Sequence, residues 1–301
     1  MRSLRHPRFR RVAEFPPMVL TPRDAEILRL VARRRFLRSQ HIHSLLGGSR
    51  QQLLRRLQRL FQHGYLERPP CQLDYFQSGG SRSMVYGLGN RAAAYLSRIG
   101  AYSSHRLDWN TRNRSIHRLF LDHALMISDI LVALEIACRA RNDVCLSIMD
   151  DCSPPDSTRP RSEPLRWNVR TTQYGEIGVV PDAVFTLQFT TASEKEMLCC
   201  LEADRGTMPV VSQDPQRSSL ARKFAAYEAS WRDGVFRERF EFARVRVLTV
   251  TNAPERIASI ENCLRTTTRN SALFTYASLA RLLESPHDFL GSLLTETPRG
   301  T

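Results

Sequence analysis

Along the first hundred residues, apolar side chains recur at the three-and-four spacing of helices, and each run is bounded by its own start and stop signals. In TPRDAEILRLVARRRF, Thr21 is placed as N-cap, Pro22 at the first helical position and Asp24 in the first turn, where the helix dipole favours an acid. Ile27, Leu28 and Val31 form the apolar stripe of that helix. RSQHIHSLLGG reads as a short second helix ended by Gly47-Gly48. SRQQLLRRLQRLFQHG then runs from Ser49 as N-cap to Gly64 as stop. Leu53, Leu54, Leu57, Leu60 and Phe61 fall on one face of this third helix, and Arg50, Gln51, Gln52, Arg55, Arg56 and Arg59 lie around the other. Two strand-like pieces follow, YLER (65–68) and SMVYGL (83–88), joined by a Gly/Ser-rich tip, and NRAAAYLSRIG is a further helix. Three helices and a two-stranded ribbon in this order predict a winged helix-turn-helix over 21–100, its third helix shaped to enter a major groove.

The pattern changes after residue 100. Residues 1–20 form a basic, Pro-punctuated arm and 101–112 read as a linker. A long amphipathic helix starts at 113, VCLSIM (144–149) reads as a strand, and 150–170 is a loop rich in Pro, Ser and charge. Strands are expected around 177–189, 196–203 and 244–251, and helices over 217–232 and 254–267, leaving 268–301 as a C-terminal helical tail. The order α-β-β-β-α-β over 113–267 indicates helices packed on a central sheet, so the fold class is α/β (α+β).

Charge sharpens the functional reading. The formal net charge is +14, and residues 1–70 hold sixteen arginines, no lysine and four acids. Lys195 and Lys223 are the only lysines in the chain, so preference for Arg is general, but the asymmetry between the two ends is not explained by it. A polyanion suits such a segment. The candidate DNA contacts are Arg38, Ser49, Arg50, Gln51, Gln52, Arg55, Arg56 and Arg59, with Arg82 on the wing tip; the plainer alternative is a small helical domain that binds protein. Double-stranded DNA and a second copy of the chain are the expected partners. Seven scattered cysteines without a CxxC suit reduced thiols, and no run approaches a membrane span or a signal peptide, so a cytoplasmic protein without membrane contact is expected. HIH at 41–43 mimics a relaxase metal motif, but on a helix the two rings diverge and a solvated or DNA-facing role is expected.

The remaining chemistry is acidic. Asp182 stands in VVPDAVFTLQF, and Glu202 and Asp204 close MLCCLEADRGT, both otherwise apolar strands. If the strands are antiparallel, these ends adjoin, and Glu202 and Asp204 point to one side. Hard oxygen ligands so placed suit Mg²⁺, with Asp182 and Glu202 as its ligands. The PD of 181–182, followed about twenty residues later by E-x-D in this element order, resembles the PD-(D/E)xK, or restriction-endonuclease-like, superfamily. Asp204 stands where that superfamily has lysine; in some members the lysine migrates to the following helix, where Lys223 stands. More closely, the chain resembles the replication-relaxation family of bacteria through TPRDAEILRLVARRRF, QRLFQHGYLER, VYGLGNRAAAYL, VPDAVF, LEADRGT, Lys223 and Tyr227, and VLTVTNAPERI. This resemblance implies DNA binding in plasmid or mobile-element replication and maintenance, with the nuclease-like domain aiding binding or assembly. Two alternatives stay open. One is an Mg²⁺-dependent endonuclease or nickase, with Asp182 and Glu202 on the metal, Asp204 as a further ligand or base and Lys223 stabilising phosphate charge. The other is a transcriptional regulator.

Overall fold

The computed structural model describes residues 7–73, 83–101, 108–149, 166–190, 196–214 and 217–295. It is a mixed α/β chain of two compact units that part between Asp129 and Ile130. No helix among the described residues is long and apolar enough to cross a membrane.

The first unit begins with α1 (Pro22–Arg34), whose Thr21 and Asp24 close a reciprocal capping box, each side chain meeting the other's backbone N–H. Arg35, at φ 63°, ends the helix and turns the chain into β1 (Phe36–Arg38). Next come α2 (Ser39–Leu46), α3 (Arg50–Gln62), β2 (Leu66–Glu67), β3 (Val85–Leu88) and α4 (Asn90–Arg98). The sheet has three antiparallel strands in the order β1-β3-β2 rather than the two expected from sequence. Phe36 and Leu37 are fully buried, so this short strand is held by core packing as well as by its ladder. Gly64, at φ +75°, stops α3, and a side chain on Gly89 would meet the Gly64 carbonyl oxygen at 2.3 Å. Two turns are thereby pressed together at a point only glycine fits.

The segment expected as a linker is partly structured. Trp109–Arg114 forms α5, and its Asn113 amide donates to the Leu88 carbonyl at 2.7 Å while Asn90 accepts from the Trp109 and Asn110 N–H groups. The seam lies instead inside α6 (Arg118–Arg139), whose Leu121, Ala124 and Leu125 join Phe36 and Val85 in the core of the first unit.

The second unit is built on a five-stranded sheet in the order β10-β9-β8-β7-β4. Its strands are β4 (Val144–Met149), β7 (Ala183–Phe189), β8 (Glu196–Asp204), β9 (Val245–Thr251) and β10 (Phe274–Ser278). Pairs β4–β7 and β7–β8 are antiparallel; β8–β9 and β9–β10 are parallel. Helices α7 (Leu220–Arg232), α8 (Val235–Phe240) and α9 (Ile257–Thr267) follow β8 or β9, and α10 (Leu279–Glu284) and α11 (Pro286–Thr295) close the chain. Sequence expectations are corrected in three places. The run 177–189 is two strands, β6 (Gly175–Val179) and β7, broken at Pro181-Asp182. The end of the expected loop is β5 (Trp167–Thr171), which alternates buried and exposed residues and forms a hairpin with β6. The expected helical tail contributes β10 to the sheet. One face of the sheet, through Val184, Leu198, Cys200 and Val247, packs with Leu220, Phe224 and Tyr227 of α7 and with Trp167 of the hairpin in one core.

Candidate functional site

Two places gather the polar side chains singled out by sequence. The first is α3. Ser49 caps it, accepting from the Gln52 N–H at 3.4 Å. Leu53, Leu57, Leu60 and Phe61 are buried as expected, but Leu54 is not: it is 39% exposed among polar neighbours. Arg50, Gln51, Gln52 and Arg55 are exposed, and their side chains make no hydrogen bond or ion pair among the described residues.

The other arginines expected at DNA are committed to internal partners. Arg56 forks onto Asp24, Nε meeting Oδ1 at 2.5 Å and Nη2 meeting Oδ2, and it also donates to the Val19 carbonyl. Asp24 is fully buried, and burial pushes its carboxyl up, but the bonds from Arg56 and Thr21 outweigh this and leave it below the usual carboxylate value. Arg59 donates to the Pro17 carbonyl at 2.7 Å. Arg38 and His41 both bond Asp129, His41 at 2.7 Å from a buried position, so the first histidine of HIH is turned into the protein rather than solvated, while His43 is half-buried and bonds the Gly48 carbonyl at 3.0 Å. Arg82 lies outside the described residues.

The arm is committed in the same way. His63 bonds the Pro16 carbonyl, Gln62 accepts from the Val12 N–H, and Arg68 donates to the Arg8 carbonyl. Arg11 donates to the carbonyls of Phe61 and Leu66 and to Glu67, whose side chain is 4% exposed. Residues 8–19 are thus tied to α3 and β2 mostly through backbone groups, and Arg11 neutralises a buried acid. The arm's charge suggests a DNA contact, yet much of it serves folding.

The second place is the end of the sheet where β7 begins and β8 finishes. The antiparallel register sets Ala183 opposite Leu201, and the Asp182 N–H continues the ladder to the Leu201 carbonyl at 3.0 Å. Asp182 Oδ2 accepts from the Ala203 N–H at 2.8 Å. Glu202, 2% exposed, turns to the α7 face. There Tyr227 Oη donates to Oε1 at 2.5 Å and Lys223 Nζ donates to Oε2. Lys223 and Tyr227 are one turn apart on α7, which lets both reach one carboxylate. Asp204 accepts from Thr251 Oγ1 at 2.9 Å, from the Gly206 N–H at 3.0 Å and from Arg256 Nε at 2.9 Å. Lys223 therefore meets Glu202, while Asp182 holds the Ala203 N–H and Asp204 is held by Thr251, Gly206 and Arg256; the roles of Tyr227, Thr251 and Arg256 were not singled out by the sequence.

Burial dominates the electrostatics. It carries the Glu202 carboxyl up to about 7, with Asp182 adding to the rise and Lys223 and Tyr227 opposing it. Burial lowers Lys223, yet Glu202, Asp182 and Asp204 bring it above its ordinary value. The Tyr227 hydroxyl, buried and facing Glu202, is pushed well up and stays a donor.

The donor set does not match a divalent metal as it is placed. Both oxygens of Glu202 are taken by α7, Asp204 is taken by β9, the following turn and its own loop, and one oxygen of Asp182 holds a backbone N–H. Among the described residues no group of three or more His, Cys, Asp or Glu side chains is arranged to hold a metal ion.

Among known proteins, a family model described as "Replication-relaxation" matches residues 28–245. Comparison with curated proteins and with solved structures returned no match.

Proposed function

The chain belongs to the replication-relaxation family, and from that premise we propose that it is a duplex DNA-binding protein of plasmid or mobile-element replication and maintenance. The observation that carries this reading is the open N-terminal half of α3. Arg50, Gln51, Gln52 and Arg55 are solvent-facing and have no side-chain partner among the described residues, on a helix whose other side is held by Asp24 and the arm. Helices α1 to α3 followed by the β2–β3 ribbon have the order of a winged helix-turn-helix, in which the first residues of the recognition helix reach the base edges. The Arg50→Ala/Arg55→Ala double variant is expected to bind duplex DNA about tenfold or more weakly. Its affinity should depend less steeply on salt, by roughly one unit of slope for each phosphate it no longer neutralises. Unchanged affinity and slope, with an unchanged thermal transition, would remove α3 from the groove.

The nuclease reading has one observation in its favour: Lys223 meets Glu202 where Asp182 also acts. Against it stands the occupation of both Glu202 oxygens. The second unit is therefore proposed to aid binding or assembly without cutting. Supercoiled plasmid incubated with Mg²⁺ or Mn²⁺ is expected to stay intact. Nicking by the wild type that Asp182→Ala abolishes would replace the binder by the endonuclease.

A further inference from the structure

Not every polar residue of α3 is available to read sequence. Arg56 and Arg59 hold Asp24 and the arm, Gln58 accepts from Arg68 at 2.6 Å, Gln62 accepts from Val12, and Ser49 is the cap. What remains outward is Arg50 and Gln52 near the helix start, and a contiguous group of Gln51, Leu54 and Arg55. Positions i, i+3 and i+4 share one face, and Gln51 and Arg55 are about 6 Å apart along the axis at 1.5 Å per residue. Base pairs stack about 3.4 Å apart, so these two side chains reach neighbouring or next-neighbouring pairs.

Resting on the DNA-binding reading above, we infer that Gln51, Leu54 and Arg55 are the specificity-determining residues, Arg55 taking a guanine, Gln51 an adenine and Leu54 a thymine methyl. The chemistry of the groove edges supplies the assignment. A guanidinium fork matches the O6 and N7 acceptors of guanine, a carboxamide matches the N7 acceptor and N6 donor of adenine, and thymine alone presents a methyl group. Leu54 fits this role because it is 39% exposed in the middle of a polar face, where an apolar side chain gains nothing from water. The arrangement is also fixed in roll. The Arg56–Asp24 fork and the arm bonds on one flank of α3 set which residues face outward, so a flexible surface helix is not being asked to choose its own face.

The test is selection of bound sites from a random duplex pool, with the full chain and two exchange variants. The wild type should return a site containing a guanine and an adenine one or two pairs apart. Arg55→Gln should convert the guanine position to adenine, and Gln51→Arg the adenine position to guanine, each exchange changing preference at its own pair by about tenfold and leaving the other unchanged. Glutamine and arginine have nearly equal helix propensities, so both variants should keep the wild-type thermal transition. Identical selected sites for wild type and variants would overturn the assignment. Duplex binding with no sequence preference would overturn it too while leaving the DNA-binding reading intact. Absence of duplex binding at every salt concentration would overturn both together.

Discussion

Replacing Glu202 with alanine should cost the second unit about 2–4 kcal/mol at pH 5, and clearly less at pH 8. Burial raises the folded carboxyl to about 7, so it is expected to hold its proton at pH 5, beside the Tyr227 hydroxyl and the Lys223 ammonium. Alanine leaves the Tyr227 hydroxyl, on a residue with no exposed surface, without its acceptor, and opens a void between β8 and α7. Above neutrality the wild type weakens of itself. A carboxyl raised from 4.5 to about 7 contributes stability that is fully present below 4.5 and is lost as pH rises to about 7, a change of order 3 kcal/mol. Glu202→Gln imitates the protonated form, so it should abolish most of that slope and be at least as stable as wild type at pH 8. Denaturant unfolding followed by tryptophan fluorescence reads this directly, since Trp167 lies 6.1 Å from the Tyr227 ring. Equal slopes for wild type and Glu202→Gln between pH 5 and 8 would mean that Glu202 does not titrate there.

Much of the fold was legible because its signals are local. Thr21, Pro22 and Asp24 announce α1, Ser49 and Gly64 bracket α3, and the apolar runs ending in Asp204 and Thr251 are the parallel pair β8 and β9. The missed strands lack such signals. β1 is three residues long and exists because Phe36 and Leu37 find partners elsewhere in the core. β5 has clear alternation, but it abuts a loop-like stretch that masks its start. β10 depends on a parallel neighbour that periodicity cannot name. Leu54 shows the converse limit: the spacing that put it on the apolar face was right to within one position, and one position is about 100° of helix.

The carboxylate cluster was half legible. An antiparallel pair in which one strand begins just after an acid and the next finishes in two brings those acids to one edge of the sheet, and Lys223 lies on the helix that covers it. What sequence cannot show is whether a charge is already answered. Arg256 and Thr251 meet Asp204 only because β9 runs parallel to β8, and Tyr227 looks like core until its hydroxyl is seen on Glu202. The same blindness affects the arginines. Arg11, Arg56 and Arg59 carry the same formal charge as Arg50 and Arg55, yet the first three bond carbonyls and buried acids while the last two face solvent. Net charge therefore overstated how many cations of the first unit stay free for a polyanion, and subtraction of the committed ones leaves Arg50 and Arg55 of α3 facing solvent.

That distinction makes Asp24 the most informative residue of the first unit. Asp24→Ala should destabilise the unit by about 3–5 kcal/mol, because it removes the capping box of α1 and leaves the Arg56 guanidinium, 24% exposed, without its buried partner. Arg56→Ala should be comparably harmful, since it strands a fully buried carboxylate, and the two losses should be far from additive in a double-mutant cycle. The pH response should be opposite to that of the second unit. A carboxyl held below 3.8 contributes stability present above 3.8 and lost as pH falls through its lower folded value. Between pH 8 and 5 the first unit should thus stay level while the second gains. Trp109 reports on the first unit and Trp167 on the second, so single-tryptophan variants separate the two transitions. For DNA, Arg56→Ala should lose affinity only as far as α3 loses its footing, and its salt slope should remain that of wild type at temperatures where it is folded. If Arg56→Ala instead keeps full stability while its affinity and slope collapse, Arg56 contacts phosphate itself, and the face assigned to Gln51, Leu54 and Arg55 must be rotated toward it.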